Sequence, residues 1–221
     1  MQPARSEKPR KKELWFQGRR YFLRTIKRED ASDRWAGWLA DPWTIHVLNS
    51  VAKSYSKSDM MDYIKQFDQR SRLLLGIFEI GSRLHVGFIR VDIDYAAKQA
   101  LVNAVIGDPA HRNRGATTEV FVPLLDYLFD TVEVAKVKAS VLRRNQVTLQ
   151  YLLKLGWQLD DALETEVKST ADGTPLGVCT VIYTRDAYHA FRQGDLGKRI
   201  LEGLAAAERA RLRGSSAKSG S

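Results

Sequence analysis

Residues 105–119 read VIGDPAHRNRGATTE, and this stretch decides the architecture that the sequence predicts. Its apolar start is typical of a buried strand, which must end at the Gly-Asp-Pro of residues 107–109 because proline cannot donate to a strand ladder. Apolar residues resume at helical spacing beyond Gly115. The start of a helix leaves about four backbone N–H groups without acceptors and carries a partial positive charge. The stretch therefore predicts a phosphate-binding turn between a strand and a helix.

Three residues of this turn suit a diphosphate. Arg112 and Arg114 supply positive charge, and Gly115 has no side chain to keep a ligand away from the backbone. We therefore expect a phosphorylated cofactor at this turn.

Length and charge restrict the class of protein. The 221 residues, 44% hydrophobic and 28% charged, are typical of one globular domain. The net charge of +9 is concentrated at the ends: residues 1–12 carry five Lys or Arg and one Glu, and residues 196–221 carry six and two. The body between them is nearly neutral, so general nucleic-acid binding by the domain is not expected. Contact with RNA or a ribosome through the tails stays open.

Cysteine usage and hydropathy indicate a location. Cys179 is the one cysteine, which excludes an internal disulfide and fits a reducing compartment. No apolar segment approaches the roughly 18–20 residues that a membrane span needs. Residues 1–12 lack the apolar core of a signal peptide. We expect a cytoplasmic protein with no membrane contact and no metal site.

The order of elements predicts a mixed α/β fold whose mostly antiparallel central sheet of about seven strands is flanked by helices. The predicted strands cover residues 21–26, 73–80, 85–93, 100–106, 137–142, 157–167 and 178–184. The predicted helices lie between Glu29 and Asp41, from Ser58 through Phe67, at 116–129 and at 148–155. Pro123 predicts a bend in the third of these helices or an early end to it. Residues 43–57 are expected to form a loop or short helical turn. One domain at 19–190 is expected between a basic, disordered tail at 1–18 and a helix-prone basic tail at 191–221.

Three segments resemble the GCN5-related N-acetyltransferase (GNAT) superfamily, in particular the branch that acetylates the N termini of ribosomal proteins. The segment LRTIKRED at 23–30, followed by WLADP at 38–42, resembles the first strand and helix of that branch. RNRGATTE at 112–119 resembles its acetyl-CoA pyrophosphate loop. NQVT at 145–148, followed by LLKLGW at 152–157, resembles its second cofactor motif. The likeness spans about residues 20–185.

The resemblance implies that acetyl-CoA inserts where strands 100–106 and 137–142 splay apart in the centre of the sheet. It assigns the pantetheine to backbone groups of one strand end, the diphosphate to the turn, and further cofactor contact to an asparagine; these residues are Val105, Ile106, Gly107, Arg112, Asn113, Arg114, Gly115, Ala116, Thr117 and Asn145. It also implies that Thr148 donates a hydrogen bond to the leaving sulfur. Two structural alternatives stay open, since Asn145 is a good helix N-cap and Thr148 is a residue of the first helical turn.

The sequence departs from the family pattern at three places. Thr117 stands where the loop usually has Gly or Ala, and Asn113 where this branch often has Gly, although Asn tolerates the left-handed backbone region. Leu152 occupies the position at which many members carry a catalytic Tyr. Tyr151 is one residue away, about 100° around a helix, and is expected to face elsewhere.

The general base and the acceptor pocket are less well defined. The candidate bases are Asp92, Asp94, Glu164, Glu166 and His111. The alternative for the two aspartates is a position at a solvated end of the sheet. The alternative for the histidine is a position in a surface loop. An aromatic segment with Trp35, Trp38, Trp43, His46 and Tyr55 lies where this family shapes its acceptor pocket. Trp35 and Trp38 are expected in the core, whereas Trp43 and Tyr55 fall in irregular sequence and could line a pocket for a sugar or a peptide end.

The leading hypothesis is an acetyl-CoA-dependent N-acetyltransferase that acts on a primary amine, either a protein N terminus or a small amine such as an amino sugar. One alternative is a non-catalytic acyl-CoA-binding or sensor domain, and another is a ribosome- or RNA-associated protein that uses its basic tails.

Overall fold

The computed structural model describes residues 13–51, 53–160 and 165–218, and its centre is a nine-stranded sheet. The strands are β1 (Trp15–Gln17), β2 (Tyr21–Thr25), β3 (Arg72–Glu79), β4 (His85–Asp94), β5 (Gln99–Ile106), β6 (Lys136–Leu142), β7 (Gln158–Leu159), β8 (Thr165–Lys168) and β9 (Pro175–Thr184). The helices are α1 (Asp33–Trp38), α2 (Pro42–Leu48), α3 (Lys57–Lys65), α4 (Ala116–Asp126), α5 (Gln146–Lys154), α6 (Arg185–Gln193) and α7 (Asp195–Lys218).

The sheet has the order β1-β2-β3-β4-β5-β6-β9-β7, and β8 also pairs with β9. Neighbouring strands are antiparallel except β5 and β6, which run parallel. The mixed, mostly antiparallel fold is therefore confirmed. The number of strands was underestimated for two reasons: β1 lies inside the predicted tail at 1–18, and the predicted strand at 157–167 consists of β7 and β8.

Three helices differ from the sequence prediction. The segment after Asp41 is helix α2, because Asp41 accepts a hydrogen bond from the Thr44 amide and proline occupies the first helical position. The cap of α3 is Ser56 rather than Ser58, with Asp59 completing a reciprocal capping box. Helix α6 was not predicted and begins directly after β9.

Helix α4 changes form beyond its proline. The regular α-helix ends at Asp126, before the predicted Phe129, and continues as a π-helical turn over Tyr127–Thr131. Pro123 lies within α4 and has no N–H to donate to the preceding turn. The expected early end is confirmed.

Two apolar clusters cover the two faces of the sheet. On one face, Val120, Leu124 and Leu128 are fully buried with the strands. On the other face, Trp35 of α1 and Met60 of α3 pack with strand residues. Burying one such large side chain stabilises a fold by roughly 1.5–3 kcal/mol. The two layers fix the strands and so position the site that lies between β5 and β6.

Candidate active site

The central parallel strands separate and leave a cavity. Strand β5 pairs with β6 only over Gln99–Leu101 and Lys136–Lys138. Beyond that point a cavity of about 550 Å³ opens, lined by residues 102–106 of β5 and residues 139–142 of β6. It extends to the start of α4 and along one side of α5, with residues 115–118, 147, 148, 151 and 152 in its wall. The geometry of the splayed strands agrees with the sequence prediction.

The basic turn has the backbone shape that a phosphate cradle needs. Asn113 (φ 58°) and Gly115 (φ 77°) both occupy the left-handed region, and Gly115 is the N-cap of α4. Ala116 and Thr117 follow in the first helical turn and line the cavity. The free amides of that turn and the positive end of an 11-residue helix therefore meet at the cavity wall. Arg114, between the two left-handed residues, is exposed.

A buried carboxylate fixes the start of α4 to the sheet. Glu119, 8% exposed, accepts hydrogen bonds from the Arg20 amide at 2.6 Å, from Arg20 Nε at 3.0 Å and from the Tyr21 amide at 3.3 Å. Arg20 also donates to the carbonyl of Arg114, and its guanidinium lies beside Gly115. Arg20 is therefore a cation at the phosphate cradle that the sequence did not reveal, because ninety-odd residues separate it from the turn.

Arg112 lines the cavity, but its guanidinium is hydrogen-bonded to protein groups. Its Nη2 donates to Asp41 Oδ2 at 2.7 Å and to the Gly107 carbonyl at 2.8 Å, and its Nε donates to the Ile106 carbonyl at 3.3 Å. The guanidinium carbon lies 4.1 Å from the centre of the Trp43 ring, and the side chain is only 14% exposed. The guanidinium is thus committed to protein groups, in contrast to that of Arg114.

Helix α5 presents two hydroxyl-bearing residues to the cavity. Asn145 caps the helix, with its side-chain oxygen accepting from the Thr148 amide at 3.3 Å, so the capping alternative is confirmed. Thr148, Tyr151 and Leu152 all line the cavity. The expectation that Tyr151 faces elsewhere is wrong, because residues three and four positions after Thr148 share its helix face. The Tyr151 hydroxyl lies 2.5 Å from Thr118 Oγ1 on α4.

Residues 20–158 match the family model described as "Acetyltransferase (GNAT) domain". The chain belongs to the GNAT acetyltransferase family. The co-substrate of this family is acetyl-CoA. No curated protein is similar enough in sequence to count as a relative of this GNAT chain.

Solved structures share the GNAT fold at low sequence identity. A GCN5-related N-acetyltransferase from Brucella melitensis is 15% identical, with a TM-score of 0.68 and coverage of 84% of each chain. Spermidine N-acetyltransferase from Vibrio cholerae, solved with CoA and spermine, is 15% identical (TM-score 0.66), covering 77% of this chain and 98% of that one. Ribosomal-protein-S5-alanine acetyltransferase from Vibrio fischeri is 13% identical (TM-score 0.66), covering 79% and 98%.

The cavity of this GNAT chain fits acetyl-CoA. Its wall between the splayed strands offers backbone groups at Val105 and Ile106 for an amide-bearing arm. The amides of the α4 start, with Arg114 and Arg20 beside them, match a diphosphate in charge and in hydrogen-bonding character. A side chain at Gly115 would have to adopt a left-handed backbone and would stand at the cradle.

The three described carboxylate candidates for a general base are not among the residues that line the cavity. Asp92 is paired with Arg72 and Arg90. Asp94 accepts from the Ala97 amide in the following turn. Glu166 is exposed on β8, and Glu164 lies outside the described residues.

His111 does line the cavity, and it is not the surface histidine of the structural alternative. The residue is 8% exposed, and its Nδ1 lies 3.1 Å from the Tyr21 hydroxyl. The reason is local: His111 ends a turn of 3-10 helix at Pro109–His111 that folds the side chain inward against β2. Among the base candidates within the described residues, it is the one in the cavity wall.

Helix α2 forms the outer wall of the cavity. Trp43, Val47 and Leu48 line it, whereas Trp35 and Trp38 are core residues, as the sequence predicted. His46 and Tyr55 are not among the lining residues.

The carboxyl end of α2 is fastened to the hairpin between β8 and β9. Asn49 donates to the Lys168 carbonyl at 2.8 Å and accepts from the Thr170 amide at 2.9 Å. Arg144 donates to the carbonyl of His46. Helix α2 therefore forms the outer wall of the cavity, and its carboxyl end is held in place by the hairpin between β8 and β9.

Neither a metal-binding cluster nor a membrane-spanning helix occurs among the described residues. Residues 13–51, 53–160 and 165–218 contain no group of three or more His, Cys, Asp or Glu that could hold a metal ion. No helix within those ranges is long and apolar enough to cross a membrane. Cys179 is a buried free thiol on β9.

Proposed function

We propose that this chain transfers the acetyl group of acetyl-CoA to a primary amine, with a protein N terminus or a small amine as acceptor. One observation carries the proposal: the cavity between β5 and β6 leads directly to the amides at the start of α4. A site of this form holds an extended molecule with an anionic end at the helix and a reactive end between the strands. Binding both substrates together supplies much of the rate of such a reaction.

When bound, acetyl-CoA supplies an activated thioester. The amine nitrogen then forms a bond to the acetyl carbon as the carbon–sulfur bond breaks; the amine loses a proton and the leaving sulfur gains one. The chain must therefore orient the thioester, polarise its carbonyl and provide a hydrogen-bond donor for the sulfur. Backbone N–H groups near Val105, Ile106 and Gly107 are our candidates for the first two tasks.

We assign the diphosphate to the amides of residues 113–117 and to Arg114, with Arg20 as an additional cation. The Nε and Nη2 atoms of Arg112 already donate to protein acceptors, so that residue is not included among the phosphate ligands. Asn145 keeps its side-chain N–H₂ group for the pantetheine arm, because its oxygen is used in the helix cap.

Two hydroxyl groups compete for the role of donor to the sulfur. Thr148 is the residue that the family resemblance implies, and it lies in the cavity wall. Tyr151 lies in the same wall, and burial raises the pKa of its hydroxyl, which keeps it protonated at neutral pH. Our proposal retains Thr148 as the donor, with Tyr151 as the alternative that mutagenesis must test.

The wall on the acceptor side favours an amine on an uncharged or apolar carrier. Trp43, Leu48 and Val147 line the cavity and are 44%, 39% and 75% exposed, so they form an apolar rim. The ionisable side chains in the described lining are His111, Arg112 and Tyr151. A polyamine carries several positive charges, whose desolvation next to such a wall is costly without carboxylate partners. A protein N terminus with a small or apolar first residue fits better.

Calorimetry with acetyl-CoA followed by thiol release tests the proposal. The amine panel contains an alanyl peptide amide, an amino sugar and spermidine. We expect binding of acetyl-CoA, release with at least one amine, and turnover of the peptide above that of spermidine. Binding without release on any amine supports the sensor alternative. Retained turnover after deletion of residues 1–12 contradicts a function that depends on that basic tail.

A further inference from the structure

We propose that Arg112 is a positioning residue that couples the cofactor turn to the acceptor-side helix α2, and is not a ligand of the diphosphate. The inference rests on the proposed cofactor site. Its starting point is the set of contacts around the guanidinium, which joins two elements that the sequence places about 70 residues apart.

The guanidinium of Arg112 is held by protein acceptors at its Nε and Nη2 atoms. It bonds to the carboxylate of Asp41 and to the carbonyls of Ile106 and Gly107, and one face is stacked on Trp43. Asp41 is ionised, because hydrogen bonds from Thr44 and Arg112 lower its pKa although burial opposes this. A phosphate that took over Nη2 would displace this carboxylate and leave it without its cation in a half-buried place, which is unfavourable.

Both ends of the bridge lie at functional positions. Asp41 is the cap of α2, accepting from the Thr44 amide at 3.0 Å, and α2 carries the outer wall of the cavity. The carbonyls of Ile106 and Gly107 belong to the end of β5, next to the backbone that we assign to the thioester arm. Gly107 itself is pressed against Trp38, since a Cβ there would lie 2.1 Å from the indole ring. Arg112 therefore sets the distance between the strand end and α2.

The contact between Arg112 and Asp41 also links ligand binding at the phosphate cradle to the position of α2. Asn113 directly follows Arg112, and its left-handed backbone begins the phosphate cradle. A ligand that orders residues 113–117 restrains Arg112, and through Asp41 it restrains the amino end of α2. The carboxyl end of α2 is held separately by Asn49 and the β8–β9 hairpin. Loss of Arg112 is therefore expected to loosen one end of α2 without unfolding the domain.

The test compares Arg112→Gln and Asp41→Asn with the matched control Arg114→Gln, all in the full chain. CoA affinity is measured by calorimetry, and amide hydrogen exchange is followed over residues 42–50 with and without saturating CoA. We expect Arg114→Gln to weaken CoA binding by about tenfold or more, as for the loss of one charged hydrogen bond. Arg112→Gln and Asp41→Asn should stay within about threefold of wild type, a free-energy change below about 0.7 kcal/mol.

Exchange supplies the second readout. In the wild type and in Arg114→Gln, saturation with CoA should slow exchange over residues 42–50. In Arg112→Gln and in Asp41→Asn, exchange there should be faster without ligand, and the slowing by CoA should be lost. With the amine of the panel that wild type acetylates fastest, both variants should raise KM for the amine while KM for acetyl-CoA is unchanged.

Two results would overturn the inference. One is a loss of CoA affinity in Arg112→Gln as large as that in Arg114→Gln, which would make Arg112 a phosphate ligand. The other is unchanged exchange of α2 in both Arg112→Gln and Asp41→Asn. Absence of CoA binding by the wild type would instead overturn the proposed function, and the exchange comparison of the unliganded proteins would still test the bridge. If Arg112→Gln does not fold, Asp41→Asn tests the same contact from its other partner.

Discussion

Replacement of Glu119 by alanine should destabilise the whole domain, because this carboxylate holds the start of α4 on β2. It accepts three hydrogen bonds, two of them from the backbone amides of Arg20 and Tyr21. The third comes from the Arg20 side chain, which is 56% exposed, so that bond contributes little. Each backbone amide left without its acceptor costs about 1–3 kcal/mol. The expected loss of unfolding free energy is therefore about 3 kcal/mol.

Urea and thermal unfolding followed by circular dichroism measure this loss. For a domain of this size about 3 kcal/mol corresponds to a fall in Tm of roughly 6–12 °C. Arg20→Ala is the matched control, since it removes the exposed half of the interaction and keeps both backbone bonds; its loss should stay below about 1 kcal/mol. Equal losses for Glu119→Ala and Arg20→Ala, or a loss below about 1 kcal/mol for Glu119→Ala, would refute the assignment of the energy to the backbone amides.

Three further outcomes are expected. Thr148→Ala should lower kcat by about tenfold or more while the CoA affinity is unchanged, and Tyr151→Phe should lower kcat by less than about threefold. Steady-state thiol release measures both effects. If Tyr151→Phe has the larger effect, Tyr151 is the donor to the sulfur. Burial lowers the pKa of His85 to about 4, so between pH 6.5 and 4 the unfolded chain binds more protons than the folded chain. The free energy of unfolding should therefore fall by up to about 3 kcal/mol as the pH drops through that range. A His85→Phe variant should show a flatter pH profile in urea unfolding. Gly107→Ala should destabilise the domain by at least about 1 kcal/mol in the same assay, because the new Cβ would lie 2.1 Å from the rigid ring of Trp38; a variant as stable as wild type would show that the ring can move away.

Local signals explain which elements could be predicted. Strands β3, β4 and β5 are nearly continuous apolar runs between turn residues, and their bounds agree with the prediction to within a residue. The turn after β5 was readable because Asn113 and Gly115 are two of the residue types that tolerate a left-handed backbone. Strand β1 was missed because only three residues pair at the sheet edge, next to a basic segment. Helix α2 was missed because its sequence of mixed polar and aromatic residues has no clear apolar stripe, and only its cap and proline mark its start.

The candidate site shows the limit of reading a motif as a set of ligands. A basic residue next to a glycine turn was interpreted as a phosphate ligand at both Arg112 and Arg114, because sequence gives charge but not direction. The structure separates the two: the side chain of Arg114 is exposed, whereas that of Arg112 runs back toward the strand that precedes it and meets Asp41. The signal that could have indicated this is the aspartate just before Pro42, a half-buried helix cap whose carboxylate is stabilised by a cation.

That separation bears on how an acetyltransferase of this family can vary its acceptor while it keeps its co-substrate. The phosphate cradle that we propose at residues 113–117 would depend on backbone shape and helix polarity, so Thr117 and Asn113 in place of smaller residues would be compatible with it. We infer that the acceptor wall depends on α2, which is held at its amino end through the Asp41–Arg112 contact and toward its carboxyl end by Asn49 and Arg144. Changes in Trp43, Val47 or Leu48 can therefore reshape the acceptor side without altering the cradle. We expect substitutions at these three residues to change the ranking of amines in the panel, while the affinity for CoA stays within about threefold of wild type, a difference below about 0.7 kcal/mol.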